Sequence, residues 1–315
     1  MGSWKKAALA AMLVLSLGAC GNGEADSEEP DLGASDGAAF DLNLSLELAR
    51  LCLQSYQALE DFQNGQPFAL PAPYTLVKEF FTSEPYEGQN FSGQVPIAFV
   101  ATQGSTVYVV FRGTKTITEW IADAKIAQVR YDFLGGPGLS EEGFTGVYRT
   151  IHQDILDTVK ELQASGTYQT LYVTGHSLGG GLATLAGPVY AQDSGFSDPI
   201  LYTFASPRTG NPVFADQVFD ALVKTSWRIA NTNDLVPTVP PVETVIFVDN
   251  QPHTYFYEHV DTEFDLTFGN PVSGPTDFTD IENNHSLCNY YDSLCDQTSD
   301  PVGCKAAAGG ADGCN

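Results

Sequence analysis

Ser177 lies in Gly175-His176-Ser177-Leu178-Gly179, between a short apolar run ending at Thr174 and a small-residue-rich run that begins at Leu178. A serine hydroxyl attacks a carbonyl carbon only when a base takes its proton, and that base is usually a histidine held by a carboxylate. On a tight strand-to-helix turn the nucleophile is pushed clear of the backbone. Gly175 and Gly179 then occupy the two places where a Cβ would collide with strand or helix. The run Gly179-Gly180-Gly181 lets the helix begin close to the sheet. Its N-terminus brings partial positive charge to the point where an oxyanion would form, and the backbone N–H of Leu178 is the natural donor. The chain has five histidines, His152, His176, His253, His259 and His285.

The surrounding sequence predicts the elements that such a turn requires. Residues 42 to 59 carry apolar side chains at helical spacing, and so do residues 141 to 163, where Phe144, Val147, Ile151, Ile155 and Val159 recur every three or four positions. Runs at 94 to 102 and 105 to 111, parted by Gly104, predict a hairpin. Beyond it the pattern alternates: strand 170 to 174, helix 178 to 192, strand 200 to 205, helix 212 to 223, strand 227 to 230. Such alternation predicts an α/β fold with a mostly parallel central sheet and helices on both faces. With the serine on its elbow, that is the α/β-hydrolase fold, in which the acid and then the histidine follow the nucleophile along the chain. His253, His259 and His285 therefore remain as candidate bases, and His259 reads as a strand residue.

Further blocks narrow the choice. They are Val109-Val110-Phe111-Arg112-Gly113-Thr114, Glu119-Trp120-Ile121-Ala122-Asp123, Thr174-Gly175-His176-Ser177-Leu178-Gly179-Gly180, Ser206-Pro207-Arg208-Thr209-Gly210-Asn211, Asn231-Thr232-Asn233-Asp234-Leu235-Val236-Pro237 and His285. In this order they resemble the class 3 lipase family, which includes fungal triacylglycerol lipases and feruloyl esterases, over residues 107 to 291. The resemblance implies Asp234 as the acid, His285 as the base, and Thr114 with Leu178 as the oxyanion hole. Asp234 also follows a predicted strand, where sites gather in open α/β sheets, and His285 sits in a polar stretch read as a loop. Arg112 reads as structural. The family places a lid helix at 115 to about 133, where Ile117, Trp120 and Ile121 would form part of an apolar face; a fixed amphipathic helix is the alternative. Glu142 stands where the family usually has a histidine. The implied reaction is carboxylic ester hydrolysis on lipid acyl esters, with soluble esters or phospholipids as alternative substrates. It calls for no cofactor, and no Cys-x-x-Cys or His-rich spacing points to a metal. A non-catalytic surface lipoprotein that keeps the fold for binding is the reading from a different class.

Composition bounds the rest. The 315 residues carry 14 Lys plus Arg against 39 Asp plus Glu, a formal net charge of -25. That field repels phosphate backbones and argues against a nucleic-acid partner. Lys5 and Lys6 precede an apolar run from 7 to 19, too short to span a bilayer, which ends Leu17-Gly18-Ala19-Cys20. This resembles a bacterial lipoprotein signal: 1 to 19 would be removed and Cys20 would carry acyl chains that anchor the protein to a membrane, at the outer membrane or cell surface. Ordinary secretion is the alternative. Residues 20 to 39, acidic and almost without large apolar side chains, read as a flexible tether, and 40 to 315 as one catalytic domain with a cysteine-containing tail. In an exported protein the five remaining cysteines, Cys52, Cys288, Cys295, Cys304 and Cys314, are expected to form bridges and leave one thiol over. The oligomeric state is open.

Overall fold

Helix α1 (Leu42–Gln63) begins where the Asp41 carboxylate accepts from the N–H groups of Asn43 and Leu44, at 2.9 and 3.1 Å, so two of the helix's orphan donors are capped. The periodic stretch predicted to end at 59 runs one turn further. The computed structural model describes residues 38–82, 94–114, 127–248, 250–272, 274, 277–308 and 314, all within the unit Ala34–Asn315. Cys20, the tether to residue 37, and Ile117, Trp120 and Ile121 of the expected lid lie outside the described residues.

Among these residues a seven-stranded sheet runs in the order β1-β2-β3-β6-β7-β8-β11, with β1 at Thr75–Thr82, β2 at Val95–Gln103, β3 at Thr106–Phe111, β6 at Thr170–His176, β7 at Ile200–Phe204, β8 at Thr225–Asn231 and β11 at Thr262–Leu266. β1, β2 and β3 pair antiparallel, and β3, β6, β7, β8 and β11 pair parallel. Alternation along β3 shows how the two cores are divided. Val107, Val109 and Phe111 point into a cluster with α2 (Glu142–Ala164) and α3 (Leu178–Asp193), while Tyr108 and Val110 point into a cluster with α1 and α6 (Leu287–Cys295). This is the α/β-hydrolase fold that the sequence predicts, a mostly parallel sheet with helices on both faces. Among the described residues no helix is long and apolar enough to cross a membrane.

Several expectations need correction. Of the stretch 115 to 133, the described part is not helical: Gln128–Arg130 forms β4, paired with β5 (Leu139–Glu141). The helix predicted at 212 to 223 is broken into Pro212–Phe214, a π-turn at Ala215–Phe219, and Asp220–Leu222, together α4. His259 lies outside the strands, between β10 (Gln251–Phe256) and β11. His285 closes a helix, α5 (Phe278–His285), instead of lying in a loop. The C-terminal cysteines pair as Cys288–Cys314 and Cys295–Cys304, which ties α6 to α7 (Pro301–Ala308) and the tail, and Cys52 is the free, buried thiol.

Candidate active site

Thr114, Ser177 and Asp234 all follow carboxyl ends of parallel strands, β3, β6 and β8. Ser177 has φ 59° and ψ -126°, a left-handed conformation that a side-chain-bearing residue adopts only under constraint. The constraint is visible at both glycines. A Cβ on Gly175 would lie 2.1 Å from the Gly179 carbonyl oxygen, and one on Gly179 would lie 2.3 Å from that of Phe111. The chain can therefore turn from β6 into α3 this sharply only with glycine at both positions. Leu178 is the first residue of α3, where N–H groups have no carbonyl one turn earlier and point out of the helix end.

The strand that leads to Thr114 is held against this turn. A Cβ on Gly113 would meet the Tyr56 hydroxyl at 2.1 Å, the His176 carbonyl oxygen at 2.6 Å and the Ser177 Cβ at 3.1 Å. Buried Arg112 fixes the same loop, donating from Nε to the Pro96 carbonyl at 2.8 Å and from a terminal nitrogen to the Gly113 carbonyl at 2.6 Å. The structural reading of Arg112 agrees with these contacts, and Thr114, 5% exposed, comes next.

Asp234 and His285 meet although 51 residues separate them: His285 Nδ1 lies 2.8 Å from Asp234 Oδ2. The carboxylate also accepts from the Tyr290 hydroxyl at 2.9 Å and, through Oδ1, from the Val236 N–H at 2.9 Å. With Nδ1 donating to the carboxylate, Nε2 is the free lone pair of the ring. Among the described residues, the buried atoms without a hydrogen-bond partner include both Ser177 Oγ and His285 Nε2. These are the two atoms between which a serine-histidine proton transfer would run, and such contacts often close only when substrate is bound.

Three features of the site were not read from the sequence. His176, inside the elbow motif, is buried, and its Nε2 donates to the His285 carbonyl at 3.0 Å while Tyr56 donates to its Nδ1 at 2.7 Å. Burial, with His285 alongside, holds its pKa well below the usual histidine value, so it is a neutral strut. Tyr290 accepts from the Asn231 N–H at 2.8 Å while donating to Asp234. The Asn231 amide donates to the Asn284 carbonyl at 3.1 Å, and the Asn284 amide donates to the Asn233 carbonyl at 3.0 Å, so two asparagines lock α5 to the Asp234 loop. The signal for Asn231 was present in its block; the tyrosines offered none, because their partners are remote in sequence.

The other histidines are placed elsewhere. His259 Nε2 donates to the Pro237 carbonyl at 2.6 Å, and burial with Arg228 and Arg208 pushes its pKa down to about 3. His253 is exposed on β10. Glu142 is exposed in the first turn of α2, where a negative charge suits the helix dipole, and Glu141 before it caps that helix through the Phe144 N–H.

The sheet and its helices form an α/β-hydrolase fold, with Ser177, His285 and Asp234 buried at the carboxyl-end side of its parallel strands. Residues 108–244 match the family model for lipase (class 3). The chain is 34% identical over 160 residues to a lipase of Rhizomucor miehei, covering 47% of this chain and 44% of that protein. It is 32% identical over 172 residues to the secreted mono- and diacylglycerol lipase A of Penicillium cyclopium, covering 55% and 52%. A solved triacylglycerol lipase, described as having a serine protease triad as its catalytic centre, superposes with a TM-score of 0.55 at 27% identity, over 71% of this chain and 86% of that one. The chain spans about half the length of the curated relatives it matches.

Proposed function

We propose that this chain is a serine ester hydrolase acting on lipid acyl esters, with Ser177 as nucleophile, His285 as base and Asp234 as the orienting acid. The observation that carries the reading is the Asp234–His285 pair, 2.8 Å apart at the same sheet edge as the strained Ser177. Ser177 Oγ attacks the ester carbonyl as His285 Nε2 takes its proton, and the imidazolium then gives that proton to the departing alcohol. Water, activated by the same nitrogen, releases the acid from the acyl-serine. Asp234 holds the ring with Nδ1–H toward the carboxylate and stabilises the imidazolium. The Leu178 N–H at the head of α3, together with Thr114, is assigned to the oxyanion. Lipid esters are favoured by the relatives, whose names specify acylglycerol lipases.

Export agrees with the secreted description of the Penicillium relative. Leu17-Gly18-Ala19-Cys20 supports processing before Cys20 and anchoring by acyl chains attached there, with 20 to 39 as tether and 40 to 315 as the catalytic domain. The lid that the resemblance implies at 115 to about 133, with Ile117, Trp120 and Ile121, falls largely on residues outside those described.

The test is hydrolysis of esters across acyl-chain lengths, below and above their solubility. Preferential turnover of emulsified long-chain acylglycerols is expected. Equal or better turnover of short soluble esters would replace the lipase reading with an esterase one.

A further inference from the structure

β9 (Glu243–Val248) and β10 form a two-stranded sheet of their own, paired Glu243 to Phe256 and Val245 to Thr254. Opposed residues share a face, so Val245 and Phe256 lie on one side of the ribbon, and each is 49% exposed. Val242, at its base, is 60% exposed. On the opposite face Thr244, Ile246 and Tyr255 are half-buried near the root of the ribbon, while His253 and Gln251 toward its tip are exposed. A sheet face turned to water normally carries polar side chains, and here the outward face, beside the exposed Glu243 and Thr254, also presents an aromatic and a branched aliphatic residue.

The ribbon is rooted at the catalytic edge. It leaves the chain just after Val236–Thr238, the turn that follows Asp234, and Arg208 pins that approach by donating to the carbonyls of Thr238 and Pro240. Its return is held by Tyr257 N–H to the Val242 carbonyl and Glu258 N–H to the Gly210 carbonyl, and Gln128 of β4 donates to the Phe256 carbonyl at 2.7 Å. Charge selects the occupant. Residues 242 to 258 contain no Lys or Arg, in a chain of net charge -25. An anionic lipid surface or a second copy of this acidic chain would be repelled, whereas an uncharged lipid surface would not.

We infer that the β9–β10 hairpin docks the protein on an uncharged lipid–water surface, burying Val245 and Phe256 there so that the catalytic edge faces the aggregated ester. The inference rests on the lipid-ester reading above and adds a second, acyl-anchor-independent contact with lipid.

The test compares the full chain carrying Val245→Asp and Phe256→Asp with its parent, both with Cys20→Ser so that no acyl anchor contributes. On a soluble short-chain ester the two should agree within about twofold. On an emulsified triacylglycerol coated with phosphatidylcholine, the variant should need on the order of tenfold more surface for half-maximal rate, with the plateau rate kept. Equal surface dependence overturns the inference, and so does a comparable loss on the soluble ester, which would make the hairpin a structural part of the site. A parent that sediments as a dimer split by the two substitutions would make a second copy the occupant and overturns it too, as would stronger adsorption to anionic than to phosphatidylcholine vesicles. Adsorption of Ser177→Ala proteins, with and without the hairpin changes, reads the hairpin without turnover. A parent inactive on both esters therefore counts against the triad and leaves the docking result standing.

Discussion

At the scale of single residues, Tyr290 and His176 hold the Asp234–His285 pair from two sides. Tyr290 shares Asp234 Oδ2 with His285 Nδ1, and His176 grips the His285 carbonyl. Tyr290→Phe removes a donor to the carboxylate and leaves the buried Asn231 N–H without its acceptor. It should cost about 1–3 kcal/mol of stability and, by loosening the ring, roughly ten- to a hundredfold in kcat with little change in KM. Urea denaturation and steady-state kinetics on one soluble ester measure both, and an unchanged kcat would make Tyr290 structural only. Ser177→Ala should lower hydrolysis by roughly 10⁴–10⁶ while leaving the melting temperature close to that of the parent.

At the scale of elements, the elbow and the C-terminal helices carry the geometry. Gly179→Ala would place a methyl 2.3 Å from the Phe111 carbonyl oxygen, so a loss of several kcal/mol or failure to fold is expected, read as soluble yield and melting temperature. Both disulfides start on α6, the helix that carries Tyr290. Cys288→Ser with Cys314→Ser should cost roughly 3 kcal/mol through loop closure in the unfolded chain, and at temperatures where the fold survives it should lower kcat in the way Tyr290→Phe does. A drop in stability with unaltered kcat would show that α6 keeps its position without the bridge.

The strands and helices around Ser177 were legible because their apolar period is long and their boundary glycines have one conformational explanation. β1, β4, β5, the hairpin and α5 to α7 were not. They are short, or polar, or held by contacts such as the Asn231–Asn284 pair that local pattern does not encode. The pairing of Asp234 with His285 was legible only through the resemblance; the residues alone left three histidines open, and of these it is the His285 ring that lies against the Asp234 carboxylate.

At the scale of the whole molecule, acidity and buried titratable groups shape the pH response. Asp261, at φ 76°, has buried carboxylate oxygens, and its pKa is raised from 3.8 to about 7, first by burial and also by Asp220 nearby. The folded chain therefore holds a proton that the unfolded chain releases near pH 4. The stability this provides is present at low pH and is lost as pH rises through about 7. Asp261→Asn is neutral at every pH, and asparagine tolerates this backbone conformation. It should raise the melting temperature at pH 8, by about 2–4 °C for each kcal/mol released, and change it little at pH 4; an equal shift at both would contradict the titration.

The central claim concerns Ser177, and the most direct measurement is covalent labelling of the folded protein with a fluorophosphonate, mapped to its peptide by mass spectrometry. The account predicts one modified residue, Ser177, with labelling abolished by His285→Ala and by prior heat denaturation. Modification of any other residue, or of none in a folded sample, would contradict it.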